Sequence, residues 1–194
     1  MNEPFSASEH MENTLKSVQE AQTPLLRVNL FGEFQIVWQV QPFTQEAAWD
    51  RRTSARALFK LLLCAPGRQA PRSLLAGILW PDTDEERARE SLRSACTVLR
   101  KVLQAAGGEE LLEQRNKGDI LKLAEQARLC IDADEFEDLV SQASRAISPD
   151  EALALWQQAK TLLRGEFLAD DQSSEWVSYT LSAPIYEDGS GCTL

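Results

Sequence analysis

The run from Asp84 to Ala106 constrains this chain more than any other stretch. It carries no proline or glycine, and it lies between Pro81 on one side and Gly107–Gly108 on the other. At 100° per residue, Ala88, Leu92, Ala95, Cys96, Leu99 and Leu103 fall on one side. Arg93, Thr97, Arg100, Lys101 and Gln104 cluster on another, with Ser94 at their edge. Thr83 and Glu86 have the spacing of a capping box, and Asp84, Glu85 and Glu86 place negative charge at the positive end of the helix dipole. The pattern predicts a helix over 84–106 that buries an apolar seam. Past Glu90 it holds no acid, in a chain with 30 Asp and Glu against 20 Lys and Arg. So clean a face requires an electrostatic reason.

The charge is divided along the chain. Residues 27–124 hold fifteen basic and twelve acidic side chains, residues 125–194 hold four and fourteen, and the leader 1–26 holds one and four. This asymmetry predicts two modules with different partners. The longest apolar runs, such as 61–65, are too short to span a membrane, and the N-terminus has neither the basic nor the apolar region of a secretory signal. The four cysteines, Cys64, Cys96, Cys130 and Cys192, form no C-x-x-C pair, and His10 is the only histidine. No metal site, no cofactor and no disulfide framework is expected, and a reducing cytoplasm is the expected setting.

The elements around the long helix give it a role. Residues 1–25 read as a loosely ordered leader, with a short helix near Glu12–Glu20. Leu26, Val28 and Leu30, then Phe34, Ile36 and Trp38, alternate as two strands joined at Phe31–Glu33, and a further short strand is expected at Glu46–Trp49. A first helix has core positions Ala55, Leu58, Leu61 and Leu62 and is stopped by Pro66–Gly67. A second runs from Pro71 to Trp80–Pro81. After the third, residues 111–123 read as strand, turn and strand, with "NKG" at the turn. Strands, three helices and a hairpin in this order form a winged helix-turn-helix over 26–124, a mainly α fold with a small β component. In that fold the third helix packs its seam on the first two and lays its outer face in the major groove of DNA, where phosphates repel carboxylates and attract Arg and Lys. An isolated helix of this kind would read as a solvated amphipathic surface. Its place before a basic-tipped hairpin is what points to DNA. Arg can read guanine, Gln adenine, and Thr can offer a hydroxyl or a methyl. Arg115, Asn116 and Lys117 at the wing tip suit backbone or minor-groove contact.

Beyond 124, helices over 134–146 and 149–163 pair Phe136, Leu139, Val140 and Ala143 with Ala152, Leu155, Trp156, Ala159 and Leu162. This helical hairpin lies in a region 125–177 that is expected to pack on the preceding helices or sheet. A flexible tail, 178–194, follows. Such a unit meets protein, either RNA polymerase or a second copy of the chain. Its acids keep it off DNA.

The stretch "RRTSARALFKLLLCAPGRQAPRSLLAGILWPDTDEERARESLRSACTVLRKVL", with "LLLCAPGR", "LWPD" and "LRKVL" within it, resembles the DNA-binding part of the SARP-type (Streptomyces antibiotic regulatory protein) bacterial regulators, which are similar to OmpR-like winged helices. "CIDADEFEDLV", "EALALWQQAKTLLRGEFL" and "SEWV" resemble the opening of the TPR-like bacterial transcriptional activator domain that follows in that family. The resemblance covers about Leu26 to Val177. It implies a transcription regulator, usually an activator, that binds direct repeats near promoters and contacts RNA polymerase. By position it implies that Arg93, Ser94, Thr97, Arg100 and Lys101 face DNA, with Arg115 and Lys117 on the wing. The wing here reads "NKGDILKL" where the family often has a "GGY"-like run, and the activator region is cut short.

No enzyme motif is present: no Gly-rich phosphate loop, no H-E-x-x-H and no G-x-S-x-G. Asp132 and Asp134 precede a helix and read as N-caps. Cys96, Trp80 and Trp156 read as packing residues. The competing reading is a winged-helix and TPR-like adapter that has lost DNA binding and meets protein through its acidic half.

Overall fold

The computed structural model describes residues 26–38, 41–42, 53–105, 111–124, 129–171 and 176–177. The strand expected at 46–49, the helix expected in the leader, Gly107–Gly108 and the tail 178–194 lie outside the described residues. The elements are mostly helical, with two small sheets. In chain order they are β1 (Leu26–Asn29), β2 (Gln35–Trp38), β3 (Gln41–Pro42), α1 (Thr53–Cys64), β4 (Gln69–Pro71), α2 (Arg72–Leu79) and α3 (Glu85–Ala105). There follow β5 (Leu112–Arg115), β6 (Ile120–Leu123), β7 (Leu129–Ile131), α4 (Asp132–Arg145) and α5 (Pro149–Leu162).

The first sheet has the order β3-β2-β1-β7. Strand β1 runs antiparallel to β2, with Val28 opposite Ile36, and parallel to β7, with Val28 opposite Ile131. Leu26 and Val28 on β1 and Leu129 and Ile131 on β7 are buried, the period-two burial of strands with one covered face. The second sheet, β4-β6-β5, is the expected hairpin plus a third strand that the sequence pattern does not predict. Gln69–Pro71, lying between two helices, pairs with β6.

Helix α1 buries its expected positions Ala55, Leu58, Leu61 and Leu62, but also Phe59, Lys60 and Leu63. It is enclosed on most sides rather than along one stripe. Helix α2 follows Pro71 directly and ends at Trp80, before Pro81. The start of α3 differs from expectation. Asp84, not Thr83, takes the capping role: its Oδ1 accepts the Arg87 amide at 3.0 Å. Asp84 is the residue immediately before Glu85, the first of the helix, so its carboxylate meets the amide three residues on and no Thr83–Glu86 box is needed.

Asp132 and Asp134 are not N-caps either. The N-cap of α4 is Ile131, with no side-chain hydrogen bond. Asp132 is fully buried and reaches across the chain: Oδ1 accepts the Leu30 amide at 2.7 Å and Oδ2 the Phe31 amide at 3.1 Å. Asp134 pairs with Arg68, and Glu135 with Arg27 at 2.6 Å. The segment after α5 returns to the same place. Gly32 donates its amide to the Glu166 carbonyl at 2.8 Å, and Leu168 donates to the Leu30 carbonyl at 2.8 Å. A Cβ at Gly165 would stand 2.9 Å from the Gly32 Cα, so this approach requires glycine. Phe31 stacks edge-on against Phe136 and Phe167. Leu168, Trp176 and Val177 join the same buried cluster as α1, α2 and α3.

A second junction surrounds Phe34. Arg56 and Lys60 lie over its ring, at 5.2 and 4.5 Å from the centroid. Arg56 pairs with Asp170 at 2.6 Å, and Asp170 also accepts the Phe34 amide at 3.1 Å. Lys60, with no exposed surface, pairs with Asp171. Burial pushes the Lys60 ammonium below its usual range, and Asp171 opposes that shift. Within α4 and α5, Ala143 and Ala159 are buried between the helices, whereas Trp156 is 47% exposed and is not a packing residue. Helix α5 turns it away from α4, where no further helix covers it among the described residues.

Two stability outcomes follow. Asp132→Ala leaves two amides without their acceptor and is expected to lower stability by about 2–5 kcal/mol, in one cooperative urea transition. Asp171→Ala strands a buried cation and should lower stability by about 3–5 kcal/mol, more than Lys60→Met, which leaves Asp171 able to reach water. Urea titrations of the three variants give the order.

Candidate nucleic-acid interface

Helix α3 buries its predicted seam. Ala88, Leu92, Ala95, Cys96, Leu99 and Leu103 are all under 5% exposed, and Val98 and Val102 join them. Burial holds the Cys96 thiol above its usual pKa, against the pull of nearby Arg72 and Arg100, so at neutral pH it is an uncharged part of the seam. On the outer side Arg93, Ser94, Thr97, Lys101 and Gln104 are exposed, and Arg100 is half-buried. The structure thus brings all six helical candidates onto one accessible face. The Thr97 hydroxyl donates to the Arg93 carbonyl at 2.9 Å. Its hydrogen is therefore committed to the helix, and the methyl is what it offers outward.

The face is electrostatically divided along its length. In the first two turns each cation has a partner: Arg87 sits 3.4 Å from Asp84, and Arg89 pairs with Glu85. Glu86 and Glu90 are exposed there as well. Beyond Glu90, Arg93, Arg100 and Lys101 form no ion pair among the described residues. An open groove lies beside this boundary, lined by Ser54, Trp80, Arg87, Glu90, Ser91 and Ser94. Ser54 comes from α1, so the groove could not be read from local sequence. Ser91, three residues before Ser94, lay within reach of helical spacing.

The hairpin is placed by the second sheet. Strand β6 pairs with both β5 and β4, and Arg72 at the start of α2 donates its amide to the Asp119 carbonyl at 2.8 Å. The hairpin tip is thus fixed relative to α2. Lys117 is exposed at that tip with φ 55°, and Gly118 follows with φ 94°. Lys117 makes no ion pair among the described residues. Arg115 differs: its Nε and Nη2 donate to Glu113 at 3.0 and 2.7 Å. The two side chains lie two residues apart on one strand and so share a face. No group of three or more His, Cys, Asp or Glu side chains gathers to hold a metal ion among the described residues, and no described helix is long and apolar enough to cross a membrane.

No protein-family model and no curated protein sequence matches the chain. Among solved structures, EmbR of Mycobacterium tuberculosis, determined in complex with a low-affinity phosphopeptide, is similar in fold. The TM-score is 0.66 at 22% identity, over 81% of this chain and 41% of that one. The present chain therefore spans less than half the length of that structure.

The two sides of α3 separate by experiment. Leu99→Ala opens a cavity in the seam and is expected to lower stability by about 2–5 kcal/mol. Arg93→Ala should leave the melting temperature unchanged. Differential scanning calorimetry of both variants checks this. An early-melting Arg93→Ala beside a silent Leu99→Ala would invert the assignment of the faces.

Proposed function

We propose that this chain is a sequence-specific DNA-binding transcription regulator of the winged-helix type, not an enzyme. Helix α3 lies in the major groove and the β5–β6 hairpin acts as the wing. The observation that carries this reading is the run of cations beyond Glu90. Among the described residues Arg93, Arg100 and Lys101 lack carboxylate partners in a chain of net charge −10, whereas Arg27, Arg56, Lys60, Arg68, Arg87, Arg89 and Arg115 each have one. Phosphates supply that missing charge. The motif resemblance to SARP-type regulators and the likeness of fold to EmbR support the same reading. Arg93 and Gln104 suit base edges, Lys101 and Lys117 suit phosphate, and the Thr97 methyl suits thymine. Arg100, half-buried, reaches backbone from the edge of the face, and Ser94 borders the groove near Trp80. Arg115 has to leave Glu113 to reach DNA, so its part is the smallest. The α4–α5 unit makes the regulator an activator by meeting RNA polymerase.

The adapter reading is favoured by Glu90 on the outer face and by the Glu113–Arg115 pair. Selection of bound sequences from a random duplex pool, followed by affinity against salt, separates the two. A regulator gives an enriched motif and affinity that falls steeply with salt. An adapter gives neither. Arg93→Ala is expected to weaken binding by about 1–3 kcal/mol and relax preference at one base position. Lys101→Ala should weaken binding to all sequences alike and reduce the salt slope by about one.

A further inference from the structure

Among the described residues, large apolar side chains that stand open to solvent are few. Apart from Leu74 on α2, they gather on one element: Ile147 is 99% exposed, Leu153 57%, Trp156 47% and Leu163 46%. Ile147 precedes α5, Leu163 is its C-cap, and Leu153 and Trp156 lie between them. Ala152, Leu155, Ala159 and Leu162 turn the other way, and Ala159 is buried toward α4. Asp150 and Lys160 are exposed near the two ends of the open face. Neither forms an ion pair among the described residues.

We propose that this face of α5 pairs two copies of the chain, antiparallel, about a two-fold axis near residue 155. Reversed about residue 155, Ile147 falls on Leu163 and Asp150 on Lys160, while Leu153 and Trp156 fall one residue apart, beside the exposed Ala154 and Gln157. An antiparallel copy sets Ile147 against the partner's Leu163 and Asp150 against the partner's Lys160. Leu153 then packs beside the partner's Trp156, next to the axis, so that four apolar side chains meet at the centre. The two charged contacts on one helix stand ten residues apart, about 15 Å, and cap both ends of that centre. A parallel arrangement would set Asp150 on Asp150 and Lys160 on Lys160. A surface evolved for an unrelated partner has no need of this reversal symmetry. An isologous contact does, because each residue then meets the image of its complement.

One short helix per side makes a small interface, below about 1,200 Å², so the dimer is reversible and dependent on concentration. It uses a surface separate from α3, and it does not rest on the DNA-binding reading. The dyad also relates the two α3 helices, so half-sites read together through this contact are inverted. Direct repeats are read by protomers not joined in this way.

Sedimentation equilibrium of the full chain over a wide concentration range tests the proposal. The unsubstituted chain is expected to show a monomer–dimer equilibrium. Trp156→Ala, Asp150→Lys and Lys160→Asp should each raise the dissociation constant at least tenfold, with far-ultraviolet circular dichroism unchanged. An equimolar mixture of Asp150→Lys and Lys160→Asp chains places Lys against Lys nowhere and Asp against Asp nowhere. It should recover most of the lost affinity, as should the double exchange within one chain. A chain monomeric at millimolar concentration overturns the proposal. So does a dimer indifferent to these substitutions, or a mixture no better than its components.

Discussion

The fully buried carboxylate of Asp132 is the constraint on which the arrangement depends. Strand β1 ends at Asn29, and the next two amides, of Leu30 and Phe31, lie beyond its register with β2 and β7. Asp132 supplies both, from more than 100 residues away. To do so, β7 must lie parallel to β1 and α4 must begin at once, with its first residue inward. Arg27, Glu135 and Cys130 close around this point. Burial and the hydrogen bond to Glu135 push the Cys130 thiol up to about 11, so it is a packing group and not a nucleophile. Once α4 is set, α5 and the return through Gly165 to Gly32 follow.

The charge asymmetry takes on a different meaning in this light. The acids after residue 124 suggest a surface kept away from phosphate, and part of that surface remains. Yet Asp132, Asp134, Glu135, Asp170 and Asp171 are turned toward groups before residue 70: the Leu30, Phe31 and Phe34 amides, Arg27, Arg56, Lys60 and Arg68. They join the two parts of the chain. The cations that these acids occupy are those of α1, β1 and the turn after α1. Arg93, Arg100 and Lys101 of α3 are left out of that arrangement, and so stay open on its outer side.

What the sequence made legible was what depends on near neighbours. The alternation at Leu26–Leu30, the seam from Ala88 to Leu103, the stop at Pro66–Gly67 and the hairpin about "NKG" are all set within a few residues, and the exposed candidates of α3 followed from the same periodicity. The cap at Asp84 is ambiguous in sequence because two side chains at adjacent positions can each serve. Strand β4 was invisible because Gln-Ala-Pro has no strand pattern of its own and is held by β6. For Asp132 and Asp134, composition near a helix start is ambiguous between a local amide and a distant partner. For Trp156, helical spacing gives a face without saying whether anything covers it. The Glu113–Arg115 pair, by contrast, could have been foreseen from strand periodicity alone.

The parallel contact of β7 with β1 has a consequence for how the chain comes into being. During synthesis β1 leaves the ribosome well before its neighbour on one side, the acceptor for the two amides that follow it and the partner of Lys60, which lie 100 residues or more downstream of the groups they meet. Until those arrive, a short strand edge and a buried-type lysine wait without their partners, while α1 to α3 can already gather their local contacts. The nascent chain is most vulnerable in this interval, and its rescue comes late and nearly all at once, when residues 129–171 emerge.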